Sequence, residues 1–421
     1  MIAGGGCIRY ILTMKKADVI ILGGGPNGLS LALALGGRKL PQPFHVKVLD
    51  ARDPHQIPND SRGTAITRAT QNMFQALGVW EGLIPHSADM RDVIVTNGQG
   101  SHQGRPSLLS FTTDGEKKAA AAIVENGHLN AALLHEVVAS PNIELEGGFV
   151  FSELLTTSGK VSITAKDGRQ VSAGLLVAAD GRNSAVRQHL GIKVIKQDYG
   201  QTALSFAIGH TIPHHNVAEE HFSPDGVFAV LPLPGNRSSI VWGTTPEEAS
   251  RLMALDSIDF TNELQTRMGD RMGEITMEGN RGAYPLVMQI ADSFIAPRVA
   301  LLGDAAHAIH PLAGLGLNLG FKDAAALADC LVQAASRGED IGGVAVLERY
   351  QTARRFDTTM TSYAMDAMNA VFVNNNPLLS SLRSAGLKLV DQLNPAKSFL
   401  MQQASGLSEN NPRLMRGLLP G

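Results

Sequence analysis

Cysteine is nearly absent. Cys7 and Cys330 are the two in 421 residues, and Cys330 falls in an apolar helical stretch, so a disulfide framework is excluded and a reducing cytoplasm is the expected home. No run of 18 or more apolar residues occurs, which excludes a membrane-spanning helix and leaves peripheral contact as the expected form of any membrane association. Charge of one sign is also lacking. A net charge of −3 gives no basic field of the kind that nucleic-acid binding requires, so nucleic acid is not an expected partner. His214 and His215 lack an acid or cysteine at ligand spacing; they read as surface-loop residues, and no metal site is assigned.

What is present points to a globular chain. Hydrophobic residues make up 44% and charged residues 18%, enough apolar surface to fold and too much for disorder. Such a length splits into more than one substructure. Residues 1–14 read as a leader, because the first strand pattern begins only after Met14.

The clearest local signal is near the start. Ala17 to Leu22 (ADVIIL) is a buried-strand pattern that runs into GGGPNG, Gly23 to Gly28, and then into the apolar helical run LSLALAL. Gly23 serves the tight turn, Gly25 the approach of a pyrophosphate to the backbone, and Gly28 the close packing of helix on sheet. Phosphates are then expected at the positive end of that helix. A second strand, Phe44 to Leu49, ends in Asp50, where a ribose-binding acid is expected. Strand, turn, helix, strand and acid in this order predict a bound dinucleotide. An acid at position 50 favours a free 2′-hydroxyl, so FAD or NAD over NADP, and the unit alone does not choose between the first two.

Two further stretches share this grammar. Val299 to Leu302 leads into GDAAH, Gly303 to His307, followed by PLAGLGLNLGFKDAAALADCL; the helix opening there offers positive potential to a reduced flavin ring, and Asp304 offers acceptors to a ribityl chain. His307 and His310 flank this motif, where a packed or hydrogen-bonded role outweighs an acid–base one. LLVAADGRNSAVR, Leu175 to Arg187, places Asp180 and Gly181 at a third strand–helix turn. For Asp180 alone, simple helix capping is the favoured reading.

The order of the three motifs, from Ala17 to about Leu407, resembles the class A flavoprotein monooxygenases, with para-hydroxybenzoate hydroxylase as reference member. More narrowly it resembles the ubiquinone-biosynthesis hydroxylases of the UbiH/UbiF type, through Asp60 to Trp80 (DSRGTAITRATQNMFQALGVW), Val124 to Leu134 (VENGHLNAALL), the HPLAG-G-NLG-KDA stretch, and Asn374 to Leu393 (NNNPLLSSLRSAGLKLVDQL). The resemblance implies an α/β fold: a Rossmann-like FAD-binding domain, an interleaved β-sheet substrate domain and C-terminal helices. It implies that Arg62 contacts the flavin, that Asn130 lies near the ribityl chain, that Gly303 and Asp304 bind FAD, and that Asp180 and Gly181 serve both FAD and a nicotinamide cofactor. Gly314, Leu315, Gly316, Leu317 and Asn318 would border the flavin. Leu315 departs from the glutamine usual in the family, which removes a polar side chain beside the flavin and puts hydroxylating competence in question.

The expected FAD-binding domain is discontinuous, 15–90, 121–197 and 284–345. The substrate domain comprises 91–120 and 198–283, joined in one sheet over the flavin, and 346–421 is a helical region. Within the substrate domain, Gly226 to Thr244 reads as a hairpin about PGN, and by resemblance Val230, Leu231 and Pro232 wall the substrate pocket. Leu382, Leu387, Leu389, Phe399, Leu400 and Met401 form candidate apolar faces for packing or for contact with membrane lipid. The implied activity is hydroxylation of an electron-rich, polyprenylated phenol through a flavin C4a-hydroperoxide, with FAD bound, NAD(P)H or another donor as reductant and oxygen as co-substrate. No catalytic side chain is assigned, because the flavin carries the chemistry. A hydrophobic prenylphenol substrate, peripheral contact at the inner membrane and a quinone-synthesis complex are the implied partners. Two alternatives stay open: an FAD-dependent reductase of isoprenoid substrates on the same fold, and a flavin-binding structural subunit, for which Leu315 is the only support.

Overall fold

The computed structural model describes residues 17–53, 56, 60–96, 107–112, 119–223, 226–309, 316–373, 405–408 and 410–421. Its centre is a six-stranded sheet. Strand β1 (Val19–Leu22) runs parallel to β2 (Val46–Leu49) on one side and to Leu175–Ala178 on the other, and Leu175–Ala178 pairs in parallel with Val299–Leu301. Ile143–Glu146 closes one edge beyond β2, and the antiparallel Ile295–Ala296 closes the other. The three central strands, β1, Leu175–Ala178 and Val299–Leu301, are apolar on both faces, as strands covered on both sides must be. Helix α1 (Pro26–Gly36) is buried from Gly28 to Gly36.

Parallel neighbours end at the same edge. The three strand–turn motifs follow β1, Leu175–Ala178 and Val299–Leu301, so their turns lie side by side, where open α/β sheets bind ligands. Backbone bonds fix this row: Gly23 N–H donates to Leu49 O at 2.7 Å, Ala179 N–H to Leu22 O at 2.7 Å and Leu302 N–H to Ala178 O at 2.9 Å.

The second sheet has eight strands, in the order His307–Ala308, Ile275–Ala291, Val194–His210, Arg237–Thr244, Gly226–Leu233, Val217–Ser223, Asp92–Thr96 and Ser107–Thr112. The PGN hairpin forms, with Gly226–Leu233 antiparallel to Arg237–Thr244. Both stretches expected to build a sheet contribute to it, and so does His307–Ala308 from the GDAAH motif, which stitches the two sheets together. Two helices, Pro246–Ala254 and Ser257–Met268, interrupt a stretch that reads as strand-rich. Their N-caps explain them: Thr245 accepts from Glu248 N–H, and Asp256 accepts from Ile258 and Asp259 N–H. They cover one sheet face, where Leu204, Phe206, Phe228, Val230 and Trp242 pack against Leu252, Phe260 and Leu264.

Two long helices complete the fold, Gly316–Ser336 and Val344–Val373. Among the described residues no helix is long and apolar enough to cross a membrane. Burial pushes the Cys330 thiol up to about 11, which keeps it protonated and unreactive at neutral pH. Near the end of the chain, the 3₁₀ turn Arg413–Arg416 docks back on the first domain: Arg413 N–H donates to Asp329 and Met415 O accepts from Asn72. Residues Leu382 to Met401, expected to offer apolar faces, and the Asn374 to Leu393 stretch lie outside the described residues.

Candidate active site

The turn after β1 is built by contact. Gly23 has φ +118°, and a Cβ there would stand 2.1 Å from Ala179 O, so only glycine lets β1 end against the Asp180 turn. A Cβ on Gly28 would stand 2.0 Å from Gly23 O, whereas one on Gly25 would meet nothing within 4 Å. Two of the three glycines therefore serve packing, and the third faces open space. The N-terminus of α1 carries Pro26 in its first turn, no side-chain cap and no acidic residue, so its N–H groups and partial positive charge remain available to an anion. Asp50 is buried at the end of β2; its Oδ2 accepts from Gly24 N–H at 2.7 Å and its Oδ1 from Arg52 N–H at 2.8 Å. Both oxygens keep further lone pairs for ribose hydroxyls.

The GDAAH turn meets this loop through one side chain. Gly303 has φ +57°, and a Cβ there would stand 2.4 Å from Asn27 Nδ2; a Cβ on Gly320 would stand 2.0 Å from the same atom. Asn27, in the first turn of α1, is thus wedged between the GDAAH turn and the helix Gly316–Ser336. Its Oδ1 is buried with no partner among the described residues, and the same holds for Asp180 Oδ1. Orphaned buried acceptors along one sheet edge fit a polar ligand lying there.

Asp304 projects beyond that turn. Solvent reaches its carboxyl, yet protein rings it closely, and that recess pushes its pKa above the usual carboxylate value against the pull of His307, Arg182 and Arg62. Arg62 forms a bidentate pair with Asp60, Nε to Oδ1 at 2.8 Å and Nη2 to Oδ2 at 2.5 Å, which holds its pKa up. The Arg62 guanidinium lies over the Tyr284 ring, 5.9 Å from its centroid. Burial raises the Tyr284 phenol, and the Ser205 hydroxyl hydrogen-bonds it. Arg62, Tyr284 and Asp304 therefore meet at the seam between the two sheets.

Asp180 accepts from Val186 N–H at 3.2 Å, and burial raises its pKa; Ser184 is the N-cap of the short helix that follows. Gly181 takes φ +82° at that turn. Buried Arg187 joins this turn to the GDAAH turn, donating to Ala305 O at 2.7 Å and Arg182 O at 2.8 Å. Asn318 is placed otherwise than a flavin contact through its side chain would need: Oδ1 accepts from Thr67 N–H and Thr70 Oγ1, and Nδ2 donates to Ala65 O at 2.6 Å. Gly316 and Leu317 open the long helix, whose first turn holds no acid; Gly314, Leu315 and His310 lie outside the described residues. Asn130 is half-buried in the helix Asn126–Val138.

Strand alternation divides the expected pocket wall. Val230 points under the helices into the cluster of Phe228 and Trp242, and Pro232 shares its face; Leu231 points the other way, packed with Ala65, Ile123 and Ala207 against the first domain. Three consecutive residues of one strand cannot all wall one pocket. His214, expected at the surface, is buried: Asn216 N–H donates to its Nδ1 and its Nε2 donates to Leu233 O at 2.9 Å. A loop histidine can satisfy both ring nitrogens on backbone and pack inward, which adjacency in sequence does not reveal. Sequence reading gave no role to Asn27, Arg187 or Tyr284; Asn27 and Arg187 lie inside the first and third motifs, whereas Tyr284 carried no local signal.

A family model described as an FAD binding domain matches residues 16–361. The chain belongs to that family. It is 37% identical over 410 residues to the ubiquinone hydroxylase UbiL of Rhodospirillum rubrum, covering 96% of this chain and 94% of the relative, and 31% identical over 401 residues to the 3-demethoxyubiquinol 3-hydroxylase of Escherichia coli, covering 94% and 100%. Among solved structures it is similar to p-nitrophenol 4-monooxygenase PnpA from Pseudomonas putida, with a TM-score of 0.77 at 19% identity, covering 94% of this chain and 99% of that one; at that identity the likeness concerns the fold. The chain is an FAD-dependent monooxygenase, and the row of strand ends, the uncapped α1 terminus and Asp50 fit FAD.

Proposed function

We propose that this FAD-dependent monooxygenase hydroxylates the aromatic ring of a polyprenylated phenol in ubiquinone biosynthesis, drawing electrons from NAD(P)H. The names of the relatives support the pathway, and one observation carries the substrate side. The strands Val194–His210, Gly226–Leu233 and Arg237–Thr244 send Phe206, Phe228, Ile240 and Trp242 to the helix-covered face and, beside Leu231, the smaller Ala203, Ser205, Ala229 and Val241 to the other face. Small side chains there leave width for a ring beneath the flavin, with Tyr284 at its border. Bound FAD supplies the activation of oxygen. The chain's own part is to hold the cofactor at the strand ends, exclude water from the seam, and offer the positive ends of two helices to negative charge.

The prenyl tail makes peripheral membrane contact part of this reading. Phe356, Met360 and Tyr363 are exposed on one face of Val344–Val373, at 75%, 55% and 48%, a spacing that suits an apolar stripe laid on an interface. A short-chain prenylphenol should raise NAD(P)H and oxygen consumption with a matching yield of hydroxylated product. Consumption that ends wholly in hydrogen peroxide would sink the hydroxylase reading, and turnover without oxygen would favour an isoprenoid reductase instead.

A further inference from the structure

Behind the flavin turn lies a charged cluster that the reaction does not use. Asp323, on the helix Gly316–Ser336, is fully buried, and its Oδ2 accepts from both Gly303 N–H at 3.1 Å and His307 Nε2 at 2.6 Å. Those two donors are the first and last residues of the GDAAH turn. One carboxylate oxygen therefore clamps both ends of the loop that presents Asp304, and fixes the left-handed backbone of Gly303.

The other oxygen is held from outside the motif. Arg354, 1% exposed on the helix Val344–Val373, donates from Nε to Asp323 Oδ1 at 2.7 Å and from Nη1 to Asp357 at 2.5 Å, and Asp357 pairs with Lys322 at 2.9 Å. One helical turn earlier, Tyr350 donates from Oη to Leu301 O at 2.8 Å, on the strand that leads into the turn. Burial opposes charge on Asp323, while His307 and Arg354 draw its pKa below the usual carboxylate value. A buried carboxylate keeps its charge, and so its grip on two donors, only while a partner compensates it. Tyr350, Arg354 and Thr358, at i, i+4 and i+8, present one helix face to the flavin turn.

We propose that Arg354 is a positioning residue for FAD: by compensating Asp323 it sets the shape of the GDAAH turn and the place where Asp304 meets the cofactor. This rests on FAD binding alone and is independent of the substrate. The test compares holoenzyme with Arg354→Met, Arg354→Lys and the double variant Asp323→Asn/Arg354→Met, reading the FAD dissociation constant and the visible flavin spectrum. Arg354→Met should weaken FAD roughly 10- to 100-fold, the loss of a charged hydrogen bond, and shift the flavin bands. Arg354→Lys should fall between it and the parent. The double variant should return to within a few-fold of the parent, because an asparagine amide oxygen in the place of Oδ2 still accepts from both Gly303 N–H and His307 Nε2–H without needing a countercharge. Folded Arg354→Met with parental affinity and spectrum would overturn the proposal. So would a double variant that binds FAD as poorly as the single one or, where Arg354→Met alone does not fold, a folded double variant that binds FAD ten-fold or more below the parent.

Discussion

Asn27 and Gly320 touch so closely that a single methyl group on the glycine would stand 2.0 Å from the Asn27 amide nitrogen. The first turn of α1 and the long helix behind GDAAH are therefore fitted to each other at one point. The pyrophosphate end and the flavin end of the site cannot shift independently, because the same asparagine also lies against Gly303.

Gly320→Ala should cost about 1–3 kcal/mol of stability through overpacking, and it should weaken FAD binding by moving Asn27. Adding Asn27→Ala should recover most of the stability, since it removes the group that the new methyl meets, but not the FAD affinity, because the Oδ1 acceptor at the sheet edge goes with it. Thermal unfolding and FAD titration of the three variants check this, and a double variant no more stable than the single one would contradict the contact as the cause.

Asp304 should trade stability for binding. Its folded pKa is raised, so the charged form is disfavoured by folding. The penalty is fully present above the folded pKa, shrinks as pH falls through it, and vanishes below the unfolded value of about 3.9. Asp304→Asn should therefore make the flavin-free protein at least as thermostable as the parent at pH 7, with the difference closing below about pH 4, while FAD binds more weakly. Melting curves across that range, beside FAD titrations, test both halves; a destabilised flavin-free variant at pH 7 would contradict the sign.

Neighbouring residues of one strand should separate substrate binding from stability. Val230→Ala, under the helices, should cost about 1–3 kcal/mol with KM unchanged. Leu231→Ala, on the opposite face, should alter KM for the prenylphenol with FAD affinity kept. Equal effects on KM from both would mean that the pocket is not confined to one sheet face.

Much of the cofactor half was legible because its signals are local. Each of the three motifs is a strand, a turn and a helix start contiguous in sequence, and steric demands at Gly23 and Gly28 can be met by glycine alone. What escaped reading depends on distance. Asn27 acquires its meaning from Gly303 and Gly320, and Arg354 from Asp323, partners brought together only by the packed fold. The helices Pro246–Ala254 and Ser257–Met268 were announced by Thr245 and Asp256 caps but lay among β-branched runs that dominated the pattern. The pocket wall was misjudged for a different reason: period-two alternation was visible along Gly226–Leu233, and the resemblance carried over three successive residues across it.

The central sheet has a consequence for biosynthesis. Strand β1 finds β2 within a few dozen residues, but its other edge waits for Leu175–Ala178, and that strand in turn waits for Val299–Leu301. At ordinary translation rates this leaves an apolar strand edge open on the ribosome for on the order of ten seconds or more, a template for pairing with other chains. A nascent chain can thus display its glycine loop long before the neighbouring strands that complete the flavin site have been made.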